Sequence, residues 1–467
     1  MATVLIRPAP SPPAQGSGTP GPAGRDSFVD AVRALGTVAV VTLHWLMADA
    51  TWDGTSLHVG NALAHGAAWT LTWVLQVLPL LFFAAGAAAG YHQSRAVASA
   101  RLAGMPGTGW ARELGRRVRG VARPVAVLAV AWVVAVAALQ GAEVPAGALR
   151  RMATIAPQPL WFLLVWLALV GVAPLLLRAW RRWRGRALAA ALALPLAVDL
   201  LRFGAGLQPL GWANVLLVWA VPFLAGLAYA DERAAGRSPS PRPAALWTGL
   251  VLAVASMAVL VTVGPYPLSM VGMPGQAMSN LCPPTAPVVA QAVAQMCAIL
   301  LARTAIERWA RGAGRGPVAW LAGRSMTVYL WHLTAMFTVV GLDLLVLHER
   351  LPEPWGVDWW ASRPVWFGAF ALVLAVLVRV FGRFEGSRSA VADGANLTAV
   401  RRRAWSGGRA LAAPPSAAAP RACGRARGPA RPPAPRRRRG TAVRTAARRA
   451  RRRGRGTPSG APRDRRR

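Results

Sequence analysis

The stretch GWANVLLVWAVPFLAGLAYA, residues 211–230, is twenty residues long and contains no charged side chain. A helix needs roughly 20 apolar residues to cross the hydrocarbon core of a bilayer. The apolar residues of this stretch occupy all sides of a helix, whereas a surface helix of a soluble protein keeps a polar face. The stretch therefore predicts a transmembrane helix and, with it, an integral membrane protein.

Comparable blocks occur along the first 382 residues of a chain that is 54% apolar. The block at 187–201 is the weakest, because it is short and contains Pro195 and Asp199. Taken in order, the blocks give candidate spans at 28–47, 69–90, 121–139, 159–177, 187–201, 212–230, 245–263, 286–303, 318–340 and 364–382. The sequence thus predicts an all-α integral membrane protein with about ten transmembrane helices.

The distribution of arginine tests this count, because basic residues mark the cytoplasmic ends of membrane spans. Segments after even-numbered spans are rich in arginine, as at Arg116 and Arg117 or at Arg181 and Arg182. Segments after odd-numbered spans contain few arginines or none. Ten spans with both termini in the cytoplasm satisfy this alternation, and a missed span would invert it.

Much of the formal net charge of +37 lies outside the apolar blocks. Residues 388–467 contain 24 Arg against two Asp and almost no large apolar residues, so this region cannot bury a core. We predict a disordered N-terminal segment at 1–26, a membrane domain at 27–385 and a disordered Arg/Pro/Ala-rich cytoplasmic tail at 386–467. The tail is either a polybasic segment held on an anionic leaflet or a passive extension. Charge confined in this way indicates no nucleic-acid partner.

Ionisable residues inside a membrane span are costly and therefore indicate function. Arg33 and His44 are 11 residues apart in the first span, which places them on one helix face, roughly 16 Å apart along the axis. Histidine suits a general base near neutral pH, and arginine can hold a phosphate or carboxylate by paired hydrogen bonds. Asp30, one turn before Arg33, can brace its guanidinium. The alternative is that Arg33 only reaches towards the interface and His44 only packs between helices.

Five segments resemble, in order and position, the motifs of the acyltransferase-3 family of membrane O-acyltransferases. Residues 30–44 resemble the Arg-x10-His motif of the family's first helix. Residues 79–86, PLLFFAAG, are similar to its Phe-Phe-rich second helix, and residues 116–124 resemble the basic start of its third. Residues 160–163, LWFL, and residues 323–332, GRSMTVYLWH, resemble its Trp-Phe-Leu helix and its Gly-Arg-x-Ser…Tyr-Leu-Trp-His helix.

This resemblance, over about residues 25–385, implies an enzyme that transfers acyl groups other than aminoacyl groups. Acetyl or another short acyl group would move from acyl-CoA to a hydroxyl of a sugar, a glycan or a secondary metabolite. The resemblance makes His44 the general base or a transient acyl carrier, with Arg33 as its catalytic partner and Asp30 in support. The substrate-binding residues expected are Arg116, Arg117 and Arg123 for the donor, and Trp161, Tyr329, His332 and Asn280 for the acceptor. Acyl-CoA is then a co-substrate, no bound cofactor is expected, and membrane lipid is the remaining partner.

Two features depart from the family pattern. Ala85 stands where many relatives have Ser, and the Arg-rich tail stands where many have a soluble hydrolase-like domain. The second departure leads us to expect that one membrane domain performs the whole reaction.

The predicted topology places His332 at a particular depth. It lies 14 residues into the ninth span, close to the depth of His44 in the first span, so the two rings could face a common cavity. The alternative is that His332 only forms hydrogen bonds within the helix bundle.

The segment 264–285 is predicted to be an external loop, uncharged and rich in Pro and Gly. It either connects two spans and nothing more, or presents hydrogen-bonding side chains to a polar acceptor. The candidates for that second role are Ser269, Gln276, Ser279 and Asn280.

The remaining features narrow the function further. Cys282, Cys297 and Cys423 have no metal-ligand spacing, so we expect no metal site. The expected localisation is the cell (plasma) membrane, as a multi-pass protein. Two rival functions stay open: a transporter or flippase of a lipid-linked or glycosidic substrate, and a scaffold or sensor with structural buried charges. No internal repeat relates the two halves of the chain, which counts against the transporter.

Overall fold

A computed structural model describes residues 26–54, 56–102, 110–347 and 351–385. The predicted N-terminal segment, apart from residue 26, and the predicted basic tail lie outside these ranges. The described residues form helices with one short hairpin of strands β1 (Ala50–Trp52) and β2 (Leu57–Val59). The helices are α1 (Ser27–Leu46), α2 (Leu71–Leu75), α3 (Leu78–Leu102), α4 (Trp110–Gly141), α5 (Ala146–Ile155), α6 (Leu160–Trp183), α7 (Gly185–Gly204), α8 (Asn214–Ala234), α9 (Pro243–Val263), α10 (Ala286–Leu301), α11 (Arg303–Arg311), α12 (Arg315–Leu342) and α13 (Val357–Phe381).

The predicted all-α membrane fold is confirmed. Within the described ranges, nine segments are long and apolar enough to cross a membrane, and α10 with α11 makes a tenth if this bent pair counts as one span. The weakest predicted span, 187–201, is present as α7, a 20-residue helix. The second predicted span is interrupted, since α2 ends at Leu75 and α3 begins at Leu78.

Several helices turn apolar side chains outward, as the membrane-facing side of a bundle requires. Val133 on α4, Leu200 on α7, Val251 on α9 and Val376 on α13 are all more than half exposed. In water these surfaces would cost free energy, whereas lipid chains are as apolar as the side chains that face them. The chain is therefore a multi-pass membrane protein.

Helices α3 and α8 approach each other more closely than ordinary side chains allow. A Cβ atom added at Gly86 would lie 2.0 Å from the carbonyl oxygen of Phe223, and one added at Gly226 would lie 2.0 Å from that of Phe83. Small residues at such a crossing let two backbones touch and increase their dispersion contact. Around this crossing, Phe82 stacks on Trp219 with ring centroids 5.0 Å apart.

The interruption between α2 and α3 leaves backbone carbonyls without partners in their own helix. Two glutamine side chains of α10 supply the missing donors. Gln291 Nε2 donates to the carbonyl of Trp73 at 2.8 Å and, at 3.0 Å, to that of Thr72, which also accepts from the amide of Gln76. Gln295 Nε2 donates to the carbonyl of Gln76 at 2.8 Å. An unpaired carbonyl in an apolar medium costs roughly several kcal/mol. The two glutamine side chains therefore stabilise the interrupted span.

A buried carboxylate joins three further segments. Asp199 on α7 accepts hydrogen bonds from Asn214 Nδ2 at 2.9 Å, from the Tyr266 hydroxyl at 3.1 Å and from the amide of Ala286 at 2.7 Å. Burial, with the neighbouring carboxylate, raises the pKa of Tyr266, so its hydroxyl stays a donor. Asp199, which weakened the sequence prediction of this span, thus connects α7, α8 and the start of α10.

A second carboxylate holds the beginning of α1. Asp26 Oδ1 accepts from the amides of Phe28 and Val29, which are unpaired at a helix start. Its Oδ2 accepts from Tyr91 on α3 at 2.5 Å and lies 3.1 Å from Arg233 Nε on α8. The first helix is therefore fixed at its start to the α3–α8 pair.

The glycine crossing gives a test of this packing. We expect Gly86→Ala to destabilise the protein by roughly 2 kcal/mol or more, because the new methyl group meets a backbone carbonyl that no rotamer change can move. The matched control is Gly171→Ala on α6, where an added Cβ meets nothing within 4 Å. The measurement is the thermal unfolding midpoint of both purified variants. Equal midpoints would show that the α3–α8 crossing is not tight.

Candidate active site

The helices α1 and α12 lie side by side and run in the same direction. Ala31 and Ala34 of α1 cluster with Val318 near the start of α12. Further along, the indole Nε1 of Trp45 donates to the carbonyl oxygen of His332 at 3.2 Å. This pairing brings the rings of His44 and His332 together, with centroids 4.8 Å apart and an edge-on arrangement. The expected neighbourhood of the two histidines is thus present.

Each imidazole is oriented by the backbone of its own helix. His44 Nδ1 lies 2.8 Å from the carbonyl oxygen of Val40, and His332 Nδ1 lies 2.6 Å from that of Tyr329. A carbonyl oxygen only accepts hydrogen bonds, so Nδ1 carries the proton in both neutral rings. The Nε2 atom of each ring is left with a lone pair, which can accept a proton from another group.

A cavity of about 350 Å³ opens beside His44. His332 does not reach it directly, since its side chain is 0% exposed, and its Nε2 is buried without a hydrogen-bond partner among the described residues. His44 is half-buried and is part of the cavity wall. The geometry therefore gives the two histidines different positions: His44 faces the cavity, and His332 lies behind it.

Elements that sequence patterns did not predict form the other walls of this cavity. The β1–β2 hairpin contributes Ala50 and Leu57, and α5 contributes Met152 and Ile155. Both elements lie in segments expected to be loops, because neither is long enough to register as a span. The length of those segments was the one sign in the sequence that they contain secondary structure, since structureless loops of that size are uncommon in compact domains.

Arg33 lies on α1, well before His44, and is held by the residue expected to brace it. Its Nη2 donates to Asp30 Oδ1 at 2.7 Å, and both side chains are about one-fifth exposed. The Thr37 hydroxyl donates to the backbone carbonyl of Arg33 at 2.9 Å. The guanidinium is thus a fixed positive charge at the other end of the helix face that carries His44.

The arginines predicted to bind the donor lie on α4. Arg116 and Arg123 are exposed, and Arg117 is half-buried. The guanidinium of Arg123 lies 5.5 Å from the centre of the Phe384 ring, which follows α13. These cations are at the basic start of α4, and two of the three can be reached from outside the helix bundle.

The predicted acceptor residues occupy the interior instead of the cavity wall. The Tyr329 hydroxyl donates to the carbonyl of Pro159 at 2.9 Å, and the Trp161 ring lies 5.9 Å from that of Trp219. Among the described residues that line the cavity, neither Tyr329 nor Trp161 nor His332 appears. Sequence reasoning could place these residues at the right depth, but helix rotation decides which side chains face the cavity.

Asn280 lies in a different environment from the one expected of an acceptor ligand. Its side chain is 0% exposed and donates to the carbonyls of Pro267 and Ser269, at 2.7 and 2.8 Å. Its Oδ1 accepts from the Thr285 hydroxyl at 2.6 Å. The amide is therefore fully used in holding the 264–285 loop together. The loop meets the cavity through other residues, Gly272, Met273 and Pro274.

A residue that the sequence analysis did not single out holds the middle of α12. Glu385 accepts hydrogen bonds from the backbone amides of Met326 and Thr327, at 3.1 and 3.0 Å, and from the Thr327 hydroxyl at 2.6 Å. Amides inside a helix normally pair with carbonyls of the preceding turn. The carboxylate thus fixes the turn of α12 that comes shortly before Tyr329 and His332.

In the part of the chain that the structure describes, no group of three or more His, Cys, Asp or Glu side chains is arranged to hold a metal ion. Comparison with known proteins gives one finding about the whole site. A family model described as an acyltransferase domain, of the acyltransferase-3 type, matches residues 26–381, which include α1 with both Arg33 and His44. No curated protein and no solved structure matches the chain.

The Glu385 contacts predict a measurable stability. A Glu385→Gln substitution leaves one acceptor oxygen for three donors, so we expect a loss of about 1–3 kcal/mol and a lower unfolding midpoint. The control is Glu353→Gln, which removes the charge of an exposed glutamate. Thermal unfolding of both variants is followed by intrinsic tryptophan fluorescence, and their unfolding midpoints are compared. An unchanged midpoint for Glu385→Gln would mean that α12 holds its shape unaided.

Proposed function

The chain belongs to the acyltransferase-3 family and is a membrane acyltransferase. We propose that it moves a short acyl group, such as acetyl, from acyl-CoA to a hydroxyl of an acceptor. The acyl groups transferred are not aminoacyl groups. The proposed acceptor is a sugar, a glycan or a secondary metabolite. The proposed localisation is the plasma membrane, with both termini in the cytoplasm.

The observation that carries the proposal is the arrangement of His44. Its Nδ1 is committed to the Val40 carbonyl, and its ring is part of the wall of a cavity large enough for a small organic molecule. An imidazole held in this way presents a free Nε2 lone pair to whatever enters the cavity. A side chain can act as a general base only if its free lone pair reaches the proton that it removes, and its pKa matters only once that condition is met.

Two routes use this lone pair. In the direct route, His44 Nε2 takes the proton of the acceptor hydroxyl while the oxygen attacks the thioester carbonyl carbon. The carbon–sulfur bond breaks, and the CoA thiolate leaves with the proton from the imidazolium. In the two-step route, Nε2 attacks the thioester carbonyl carbon, the carbon–sulfur bond breaks, and CoA leaves as the thiolate while the ring becomes an acyl-imidazolium. The acceptor hydroxyl then attacks the acyl carbon, the carbon–nitrogen bond breaks, the hydroxyl proton passes to the thiolate, and the neutral imidazole is restored.

His332 acts through His44 in this scheme. The two rings are in contact, and the Trp45–His332 hydrogen bond fixes the helices that carry them. Because His332 is enclosed, we assign it a positioning role behind the base rather than contact with the acceptor. Tyr329 and Trp161 support the same interior wall, and no contact with either substrate is proposed for them.

Positive charge on the donor side completes the proposal. The phosphates of CoA would lie near Arg33, which Asp30 holds in place, and near the Arg116, Arg117 and Arg123 group on α4. From there the pantetheine arm would run along α1 and bring the thioester to His44. The distance is suitable, since the two ends of the Arg33–His44 face are roughly 16 Å apart along the helix.

The catalytic role of His44 has a direct test. We expect His44→Ala to lower kcat by roughly 10²–10⁴-fold, because the base is removed while the fold is kept. The measurement is the transfer or hydrolysis of radiolabelled acetyl-CoA by purified protein, with monodispersity matched between variants. His58→Ala, which changes an exposed histidine on the β2 strand, is the control. Retained turnover in His44→Ala, or a wild-type protein that binds no acyl-CoA, contradicts the proposal and favours a transporter.

The donor-binding role of Arg33 has a separate test. We expect Arg33→Ala to raise the KM for acetyl-CoA roughly tenfold, because a fixed partner of the phosphates is lost. The KM for acetyl-pantetheine, which lacks the nucleotide phosphates, should not change. Arg308→Ala on α11 removes an exposed arginine and serves as the control. An equal rise in the KM for both donors in Arg33→Ala would show that Arg33 does not bind the phosphates.

A further inference from the structure

The cavity beside His44 has a chemical character of its own. Its walls are mainly apolar and include four methionines, Met47, Met152, Met273 and Met336, which come from four different elements. Methionine side chains are flexible and polarisable, so they adapt to irregular apolar shapes. A polysaccharide chain would need many hydrogen-bonding side chains around it, and these walls offer few. The cavity therefore fits a molecule with an apolar body.

The polar groups of the cavity differ in how far they are already engaged. The Asn61 side chain accepts from the amide of Leu63 at 3.0 Å and donates to the Met273 sulfur at 3.3 Å. The carboxylate of Asp49 lies 3.6 Å from Nε2 of His65. Arg151, on α5, also lines the cavity, and its guanidinium has no hydrogen-bond or ion-pair partner among the described residues. Arg151 is exposed at this cavity, and it is the cation of the lining that no described protein group pairs with.

From these observations we propose that the acceptor is an amphiphilic alcohol with an apolar body and a carboxylate, and that Arg151 binds the carboxylate while the apolar body lies against the methionines. This inference rests on the proposed function and specifies its acceptor. A guanidinium fork matches the two oxygens of a carboxylate. Arg151 provides one positive charge, and the Asp49 carboxylate in the same cavity opposes any further negative charge on the ligand, so a carboxylate fits better than a doubly charged phosphate monoester.

Arg151 has a neighbour that makes the inference testable. Arg150 is exposed on the same helix but does not line the cavity. The two arginines are adjacent in sequence, and both side chains are exposed. If Arg151 only reached towards lipid head groups, replacing Arg150 would have the same effect as replacing Arg151. A ligand in the cavity contacts Arg151 and not Arg150.

The experiment uses the full chain in phosphatidylcholine nanodiscs, so that no detergent fills the cavity. Three probes are titrated: octyl β-D-glucuronide, octyl β-D-glucoside and glucuronic acid. Binding is measured by the shift in the unfolding midpoint without acetyl-CoA, and transfer is measured separately with radiolabelled acetyl-CoA. We expect the glucuronide, which combines an alkyl chain with a carboxylate, to bind roughly tenfold more tightly than either other probe.

The two variants decide the assignment of Arg151. Arg151→Gln should lower the affinity for octyl glucuronide to that for octyl glucoside, and Arg150→Gln should leave both unchanged. Equal binding of glucuronide and glucoside to the wild type, or an unchanged glucuronide affinity in Arg151→Gln, overturns the inference. Because binding is measured without the donor, loss of acyl transfer alone would contradict the proposed function and leave this assignment standing.

Discussion

Inside a bilayer no water is present to pair with a backbone amide or carbonyl, so every irregularity in a membrane-spanning helix needs a partner from the protein itself. Side chains provide these partners at four places here. Gln291 and Gln295 pair with carbonyls at the α2–α3 interruption, Asp199 takes the amide of Ala286, and Asp26 takes the first amides of α1. Glu385 does the same for the middle of α12. Except at the start of α1, these contacts join segments that are far apart in sequence, and the Trp45–His332 hydrogen bond separately joins α1 to α12.

The active site combines a short-range and a long-range arrangement. Within α1, the spacing of Arg33 and His44 places a positive charge and an imidazole on one face, and each is oriented by its own helix through Asp30 and Val40. Between helices, Trp45 bonds to the backbone at His332 and brings the second imidazole behind the first. The His44 ring, the proposed base, is thus supported from one side and accessible from the other, which is the arrangement that an acid–base catalyst requires.

Much of this follows from the sequence, because long apolar blocks and arginine-rich connections are strong signals. The contact of Arg33 with Asp30 depends only on helical spacing, and the level of His332 depends only on its position along a span. The cavity wall could not be predicted in the same way. The hairpin and α5 are too short to stand out, and the inward direction of Asn280 is set by the backbone of an irregular loop. Glu385 follows the last apolar block, where no periodic pattern indicates a contact with α12.

The crossing of α3 and α8 limits how the protein can move. At Gly86 and Gly226 each helix rests on a carbonyl of the other, so neither can slide or rotate without a steric clash. Alternating-access transporters work by rocking one bundle of helices against another through the centre of the molecule. A bundle with this contact near its middle instead opens at its periphery. The elements that cover the cavity are the β1–β2 hairpin and α5, so we expect substrate exchange to be a local event there that leaves the central helices in place.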